Sequence, residues 1–112
     1  MERFDVSIDG NGPGRYVVTV RGELDLATAD RLWAQVEPLI TPDVRLVLDA
    51  SGMTFLDSSG LRVLLLMHNG AAAGSGSLLL VAPPPAVQRV LDLAGVTGLL
   101  ETRADVQAAL AG

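Results

Sequence analysis

The sequence predicts a single α/β domain, a mixed β-sheet of about four to five strands with an N-terminal hairpin, packed by about four helices. Three observations support this fold class. Two alternating apolar and polar segments are joined by a glycine-rich linker. Strand-length apolar segments then alternate with segments of helical periodicity. The chain has 112 residues, 49% of them hydrophobic and 19% charged, which suits one packed core, so residues 1–112 are assigned to one domain.

The hairpin is predicted from Phe4–Asp9 and Tyr16–Arg21, two half-buried strand patterns. Gly10–Gly14 lies between them and is typical of a hairpin turn. It does not resemble a phosphate-binding loop, because it leads into a strand and lacks the Gly-Lys-Ser/Thr ending. Gly22–Asp25 is predicted to break the second strand, with Asp25 capping the helix that follows.

The first helix is predicted from an apolar stripe at helical spacing, formed by Ala29, Leu32, Trp33, Val36 and Leu39. A third strand is predicted at Val44–Asp49. Its continuous apolar run suggests an interior position, covered on both faces of the sheet.

The stretch Met53–Met67 is the centre of the chain, because a polar segment, Asp57–Gly60, separates an apolar strand from a nearly all-apolar helix. This helix is predicted from about Ser59 to about Ala73. A helix that is apolar nearly all round is buried on two sides or exposes apolar surface for a partner.

The last third of the sequence predicts a buried strand at Ser77–Val81 and a helix started by Pro83–Pro85. A short strand is expected near Gly98–Glu101. The pattern Thr102-x-x-Asp105 resembles a capping box for a final helix.

Composition excludes several functions. The net charge is −5, and the eight basic residues are scattered arginines, so no basic patch is available for nucleic acid. The absence of cysteine excludes disulfides and thiolate chemistry, and the acidic residues show no metal-ligand spacing, so neither a metal nor a cofactor is predicted. Met1–Asp5 is charged, unlike a signal peptide, and the longest apolar run, Val63–Met67, is far below the roughly 20 residues needed to cross a bilayer. A cytoplasmic protein is expected.

No catalytic centre is predicted. Ser58 as a nucleophile would need a neighbouring base, but the single histidine, His68, lies about 15 Å farther along the predicted helix. The segment around Ser58 also lacks the Gly-x-Ser-x-Gly elbow.

The polar segment Asp57–Gly60 has two interpretations. Short oxygen-bearing side chains before a helix cap its unpartnered N–H groups. A hydroxyl held there is partly exposed, and an added phosphate would lie at the positive end of the helix dipole, where free N–H groups would accept it. The segment is therefore a plain cap or a phosphorylation switch.

The ordered set of motifs resembles the STAS domain of the anti-sigma factor antagonist (anti-anti-sigma factor) type. The resemblance covers essentially the whole chain and is carried by Gly22–Asp25, by Leu46–Asp49 leading into Phe55–Leu61, by Ser77–Val81 leading into Pro85–Gly95, and by the tail Leu99–Leu110.

The resemblance implies a switch in which a serine-kinase anti-sigma factor phosphorylates Ser58, with Ser59 the less favoured acceptor. Asp25, Asp57 and Gly60 then form the environment of the phosphate. The unphosphorylated antagonist captures the kinase and releases a sigma factor, phosphorylation ends the capture, and a phosphatase restores it.

The surface expected to touch the partner comprises Leu56, Leu61, Arg62 and Leu65. Arg62 is equally compatible with contact to the kinase, contact to the phosphate, or a solvated surface position. The simpler expectation for the free protein is a monomer. The alternative function is a non-switching STAS module, acting as a stressosome-like scaffold or as an accessory subunit of a lipid or anion transporter.

Overall fold

The structure is a computed structural model that describes residues 4–111. Met1–Arg3, part of the charged start on which the prediction of no signal peptide depends, and Gly112 lie outside the described residues. The elements are β1 (Phe4–Gly10), β2 (Arg15–Leu24), α1 (Ala29–Val36) with a 3₁₀ turn (Glu37–Leu39), β3 (Arg45–Leu56), α2 (Ser58–Ala73), β4 (Ser77–Val81), α3 (Pro85–Leu93), β5 (Thr102–Arg103) and α4 (Val106–Ala111).

The five strands form one mixed sheet in the order β1-β2-β3-β4-β5. β1 and β2 pair antiparallel, which confirms the hairpin, and all the other pairs are parallel. Gly12 and Gly14 have φ values of 100° and 66°, so the hairpin turn uses backbone conformations that favour glycine. Because β2, β3 and β4 run in the same direction, their carboxyl ends meet at one edge of the sheet.

The core lies on both faces of the sheet, as predicted for the third strand. Leu46, Val47 and Leu48 are fully buried. Leu46 and Leu48 belong to the large apolar cluster that includes α1, α2 and α3, whereas Val47 belongs to a smaller cluster with α4. Alternate side chains of β3 therefore contact opposite helical layers.

The second and third strands are longer than the sequence pattern predicts. Gly22 does not break β2, which continues to Leu24, and β3 continues beyond Asp49 to Leu56. The added segments pair with each other, with Leu24 opposite Leu56. Register shifts accommodate their glycines, so turn-forming residues occur inside paired strands.

The first helix begins at Ala29, with Thr28 as its N-cap residue, so the prediction that Asp25 caps it was wrong. The Asp25 carboxylate instead accepts the Ala27 N–H at 3.0 Å and closes a turn before the helix. Leu39 lies in the 3₁₀ turn, because Pro38 has no N–H to continue the α-helical ladder.

Helix α2 begins at Ser58, one residue before the predicted start, and ends at Ala73 as predicted. One stripe faces the core, comprising Gly60, Val63, Leu64, Met67 and Ala71. The flanking leucines on the same helix are only half-buried. Within residues 4–111, no helix is long and apolar enough to cross a membrane.

The carboxyl-terminal elements differ in detail from their predicted positions. α3 begins at Pro85 rather than Pro83, because Pro84 precedes a proline and stays extended, with ψ of 162°. The short strand is Thr102–Arg103, not Gly98–Glu101. Thr102 belongs to the strand and pairs with β4. Asp105 alone caps α4, by accepting the Ala108 N–H at 2.8 Å, so the prediction that Thr102 begins a capping box was wrong.

Candidate functional site

Two aspartates leave the sheet side by side at the carboxyl ends of β2 and β3. Leu24 and Leu56 are register partners, and Asp25 and Asp57 are the residues that follow them. The Asp57 N–H donates to the Leu24 carbonyl oxygen at 3.3 Å, which extends the contact between the strands by one residue. Adjacent strands lie about 4.8 Å apart, so both carboxylates belong to one surface.

Asp57 is the N-cap residue of α2. It has an extended backbone, and its Oδ1 accepts the N–H groups of Ser59 and Gly60 at 2.9 and 3.0 Å. These are the donors expected from the sequence to accept a phosphate. A phosphate on Ser58 would have to compete with Asp57 for them, so the helix start offers it less support than the sequence suggests.

The two serines of the polar segment differ in accessibility. Ser58 is exposed in the first turn of α2, whereas Ser59 is half-buried. Neither hydroxyl makes a hydrogen bond within residues 4–111. A reagent or enzyme approaching from solvent therefore meets Ser58 first.

Gly60 allows α2 to start directly against β2. A Cβ at this position would lie 2.5 Å from the Leu24 carbonyl oxygen and 2.7 Å from Leu56 Cδ1. Real Cβ atoms do not approach backbone oxygen so closely, and a backbone atom cannot move aside as a flexible side chain can. Gly60 therefore sets the distance between the serine-bearing turn and the aspartate-bearing turn.

A buried hydroxyl holds the loop that carries Asp25. Thr28 is only 1% exposed, and its Oγ1 accepts the Asp25 N–H at 2.9 Å and donates to the Glu23 carbonyl at 2.8 Å. Sequence reasoning missed Thr28, although the spacing Asp25-x-x-Thr28 is itself a turn-capping pattern. The loop between β2 and α1 is consequently well defined beside Ser58.

The sequence-predicted partner residues lie at different depths. Leu56 is 3% exposed and lies beneath the surface. Leu61 and Leu65 are half-buried on α2. Arg62 is exposed, and its guanidinium lies 3.8 Å from the Asp30 carboxylate of α1, a solvated pair of the kind that contributes little to stability.

Two exposed apolar side chains border the polar segment and were missed from the sequence. Leu26 is 79% exposed next to Asp25, and Phe55 is 46% exposed near the end of β3. Large apolar residues with that exposure beside a polar centre are typical of protein-binding surfaces. A sequence signal existed for Leu26, which stands alone among polar and small residues in a loop.

A groove lies next to this surface, between the end of β3 and the start of α3. Its volume is about 410 Å³. Its lining residues are Phe55, Leu56, Pro85, Ala86, Arg89 and Val90. Phe55 and Leu56 lead directly into Asp57, so the groove adjoins the strand end at which the serine-bearing turn begins.

The rest of the described chain offers no second chemical centre. His68 lies ten residues beyond Ser58 on α2, about 15 Å along the helix axis. Among residues 4–111, no three His, Cys, Asp or Glu side chains form a cluster that could hold a metal ion. The pKa of Asp92 is lowered by hydrogen bonds from Thr97 and Gln88, but this exposed carboxyl lies at the end of α3.

These features coincide with a known family. A family model described as "Mlab, STAS domain" matches residues 9–101, most of the chain. The chain belongs to the STAS domain family.

Solved STAS structures share this fold. An anti-sigma factor antagonist from Mycobacterium paratuberculosis is 27% identical, with a TM-score of 0.84, covering 97% of this chain and 92% of that one. The Bacillus protein SpoIIAA is 22% identical in its unphosphorylated form (TM-score 0.80, coverage 93% and 92%) and 20% identical in its phosphorylated form (0.73, 93% and 96%). The murine anion transporter Slc26a9 is 19% identical (0.75), with 88% of this chain matching 17% of the transporter. SpoIIAA and Slc26a9 are similar in fold alone.

Proposed function

We propose that this STAS domain is an anti-sigma factor antagonist controlled by phosphorylation of Ser58. In its unphosphorylated form it binds a serine-kinase anti-sigma factor, which then releases its sigma factor. Phosphorylation ends this binding, and a phosphatase restores it. The protein acts in the cytoplasm as a binding partner without catalysis of its own, and as a monomer when free.

The observation that carries this proposal is the exposed Ser58 hydroxyl at the start of α2, which makes no hydrogen bond within residues 4–111 and follows the neighbouring strand ends of Asp25 and Asp57. A serine that served only as a cap would direct its oxygen to the first N–H groups of the helix. Here Asp57 fills that role, which leaves Ser58 without a structural task. The greater accessibility of Ser58 relative to Ser59 favours it as the acceptor.

Charge explains how a phosphate would end the binding. A phosphoserine adds about −1.5 to −2 charge at neutral pH. Because Asp57 already accepts the N–H groups of Ser59 and Gly60, the phosphate would stay at the surface, close to Asp57 and Asp25. The negative charge would then be concentrated where the partner has to make contact.

The free energies of repulsion and desolvation are large enough for a phosphate to switch binding off. A unit negative charge on the phosphate and one on the partner about 7 Å away would repel by about 2 kcal/mol near a protein surface. Burying the phosphate in an interface without a partner cation adds a desolvation cost of several kcal/mol. Since each 1.4 kcal/mol is about tenfold in affinity, release needs no change of fold.

The contact surface for the kinase is proposed around Ser58, with Leu26 and Phe55 as apolar anchors and with Leu61, Arg62 and Leu65 beside them on α2. The apolar anchors supply the free energy of binding, because their exposed area is removed from water on contact. Leu56 supports this surface from below.

The test is a phosphorylation assay with candidate serine-kinase anti-sigma factors of the same genome, ATP and Mg²⁺. Intact mass and peptide mapping are read on wild type, Ser58→Ala and Ser59→Ala. We expect a single phosphate that only Ser58→Ala abolishes. Titration calorimetry on the two forms should then show at least tenfold weaker binding of the kinase after phosphorylation, with backbone amide spectra unchanged away from α2.

An alternative is a non-switching STAS module, either a stressosome-like scaffold or an accessory subunit of a lipid or anion transporter. The likeness to a segment of Slc26a9 supports it, because the same fold there forms part of a transporter. If no kinase binds or modifies the protein, the antagonist proposal fails and this alternative takes its place. If Ser59 alone carries the phosphate, the antagonist function stands and Ser59 replaces Ser58 as the acceptor.

A further inference from the structure

We propose that the groove between the end of β3 and the start of α3 binds an apolar side chain of the anti-sigma factor, and that a carboxylate next to that side chain pairs with Arg89. This inference rests on the proposed antagonist function and names a second contact area for the same partner. The groove would extend the interface from the Ser58 turn across to α3.

The groove has the dimensions and lining of an anchor site. Its volume of about 410 Å³ falls in the range of protein sites that hold small ligands. Phe55, Leu56 and Val90 make its wall apolar, and Ala86 leaves it open at the start of α3. An inserted apolar side chain would remove the exposed part of Phe55 from water.

Arg89 supplies the charge that selects the occupant. Among residues 4–111 it is the one arginine with neither a hydrogen bond nor an ion pair nor a ring contact within the chain. The chain carries a net charge of −5, so acidic groups were available to pair with it. A free guanidinium at the border of an apolar groove is complementary to a carboxylate flanked by an apolar residue.

The position of the groove favours the anti-sigma factor over a second copy of this chain. Phe55 and Leu56 immediately precede Asp57 and Ser58, so the groove lies within the area that a protein of ordinary interface size would cover when bound at the serine. A second copy would bring another net charge of −5 toward the surface that already carries Asp25 and Asp57.

The experiment compares two groove variants with two matched controls in the full chain. Arg89→Glu reverses the charge, and Ala86→Trp fills the groove. Arg21→Glu makes the same charge change on the hairpin, where Arg21 pairs with Asp5. Ala72→Trp adds the same bulk to an exposed position at the far end of α2. The equilibrium constant for binding the kinase that phosphorylates Ser58 is measured by calorimetry, together with circular dichroism of each variant.

We expect both groove variants to bind at least tenfold more weakly and both controls to stay within about twofold of wild type. If the groove variants bind like the controls while wild type binds and is phosphorylated, the groove proposal is wrong and the antagonist function stands. If wild type binds no kinase, both proposals fall. Should Ala86→Trp fail to fold, Arg89→Glu alone decides. A wild-type dimer in sedimentation that the groove variants dissociate would assign the groove to a second copy and overturn the proposal.

Discussion

The two ends of the central strands use the same residue type in opposite ways. At the amino ends of β2 and β3, the register partners Arg15 and Arg45 donate to the carbonyl oxygens of Leu110 and Ala109 at the end of α4. These cations complement the negative end of a helix. Near the carboxyl ends, Arg62 of α2 makes only a solvated pair with Asp30, and Arg89 of α3 has no partner within the described chain. The arginines at the amino ends therefore stabilise the fold, whereas Arg89 near the carboxyl ends is left to pair with another molecule.

Tight packing does not distinguish the two ends. Gly60 at the carboxyl edge and Gly76 at the amino edge both lie where a Cβ would collide with backbone atoms, of Leu24 and of Val44 respectively. The backbone is therefore tightly packed at both edges of the sheet. The two ends differ in what lies next to the packed turn: Leu26 and Phe55 are exposed beside the polar turn at the carboxyl edge. The other exposed large apolar side chains of residues 4–111, Leu93 and Leu99, lie at the end of α3 and in the loop after it. Under the proposed function, Leu26 and Phe55 contact the partner from a tightly packed support.

The largest expected effect is that of Gly60→Ala. The added methyl group would force α2 away from the Leu24 carbonyl oxygen, so we expect a loss of about 2–3 kcal/mol in the free energy of unfolding. Urea denaturation measures it. Gly98→Ala, at a position with nothing within 4 Å, is the control. Equal stability of the two variants would show that the close approach at the carboxyl edge is not required.

The next effect is that of Arg45→Met, which keeps an apolar stem and removes the donor to Ala109. We expect a loss of about 1–2 kcal/mol, together with faster amide exchange in α4, because a charge-assisted hydrogen bond disappears from a partly buried site. Kinase binding should not change. The control is Arg21→Met, an exposed arginine whose ion pair contributes little. Weaker kinase binding by Arg45→Met would contradict the division of roles between the two ends.

Asp57→Ala should lower the free energy of unfolding by about 1 kcal/mol, since it removes the cap of α2. It also frees the N–H groups of Ser59 and Gly60, which could then accept a phosphate on Ser58. We therefore expect phosphorylation to weaken kinase binding less in this variant than in wild type. Asp105→Ala, which uncaps α4, is the matched control: it should leave the effect of phosphorylation as in wild type.

The smallest expected effect concerns the pKa of Asp92, which lies away from the two strand ends compared above. Hydrogen bonds from Thr97 Oγ1 at 2.6 Å and from Gln88 at 2.9 Å lower the pKa of this carboxyl in the folded state. Its stabilising contribution is therefore present above the ordinary pKa of 3.8 and is lost as the pH falls through the lower folded value. Thr97→Val should raise the pKa of Asp92 in a carboxyl NMR titration, and an unchanged titration would remove the assigned cause.

Much of the fold follows from local pattern, and the exceptions have physical causes. The hairpin, the buried third strand and α2 were predictable because apolar periodicity reflects which faces are buried. The extensions of β2 and β3 were not, because Gly22 and Gly52 favour turns locally. Gly22 has a φ of 94°, and pairing between the two strands continues past it only through register shifts. The position of β5 likewise depends on its pairing with β4.

The residues of the candidate site likewise differ in whether the sequence pattern could predict them. Asp57, Ser58, Ser59 and Gly60 are adjacent in sequence, and the order of residue types at the start of a helix was enough to single them out. Leu56 was predicted at the partner surface; it is 3% exposed, because successive side chains of a strand face opposite sides of the sheet, and it lines the groove next to Phe55. Leu26 and Phe55 became visible only once their exposure was known.

Composition, periodicity and capping chemistry act over a few residues, and they were enough to establish a small acidic α/β domain with one serine-bearing helix start. Three further features came from the folded chain: Asp25 and Asp57 follow paired strand ends, Asp57 already accepts two N–H groups of α2, and Arg89 has no partner within residues 4–111 at the border of a groove. These facts depend on strand register and on which charges meet across the fold. Both are set by contacts between residues distant in the chain.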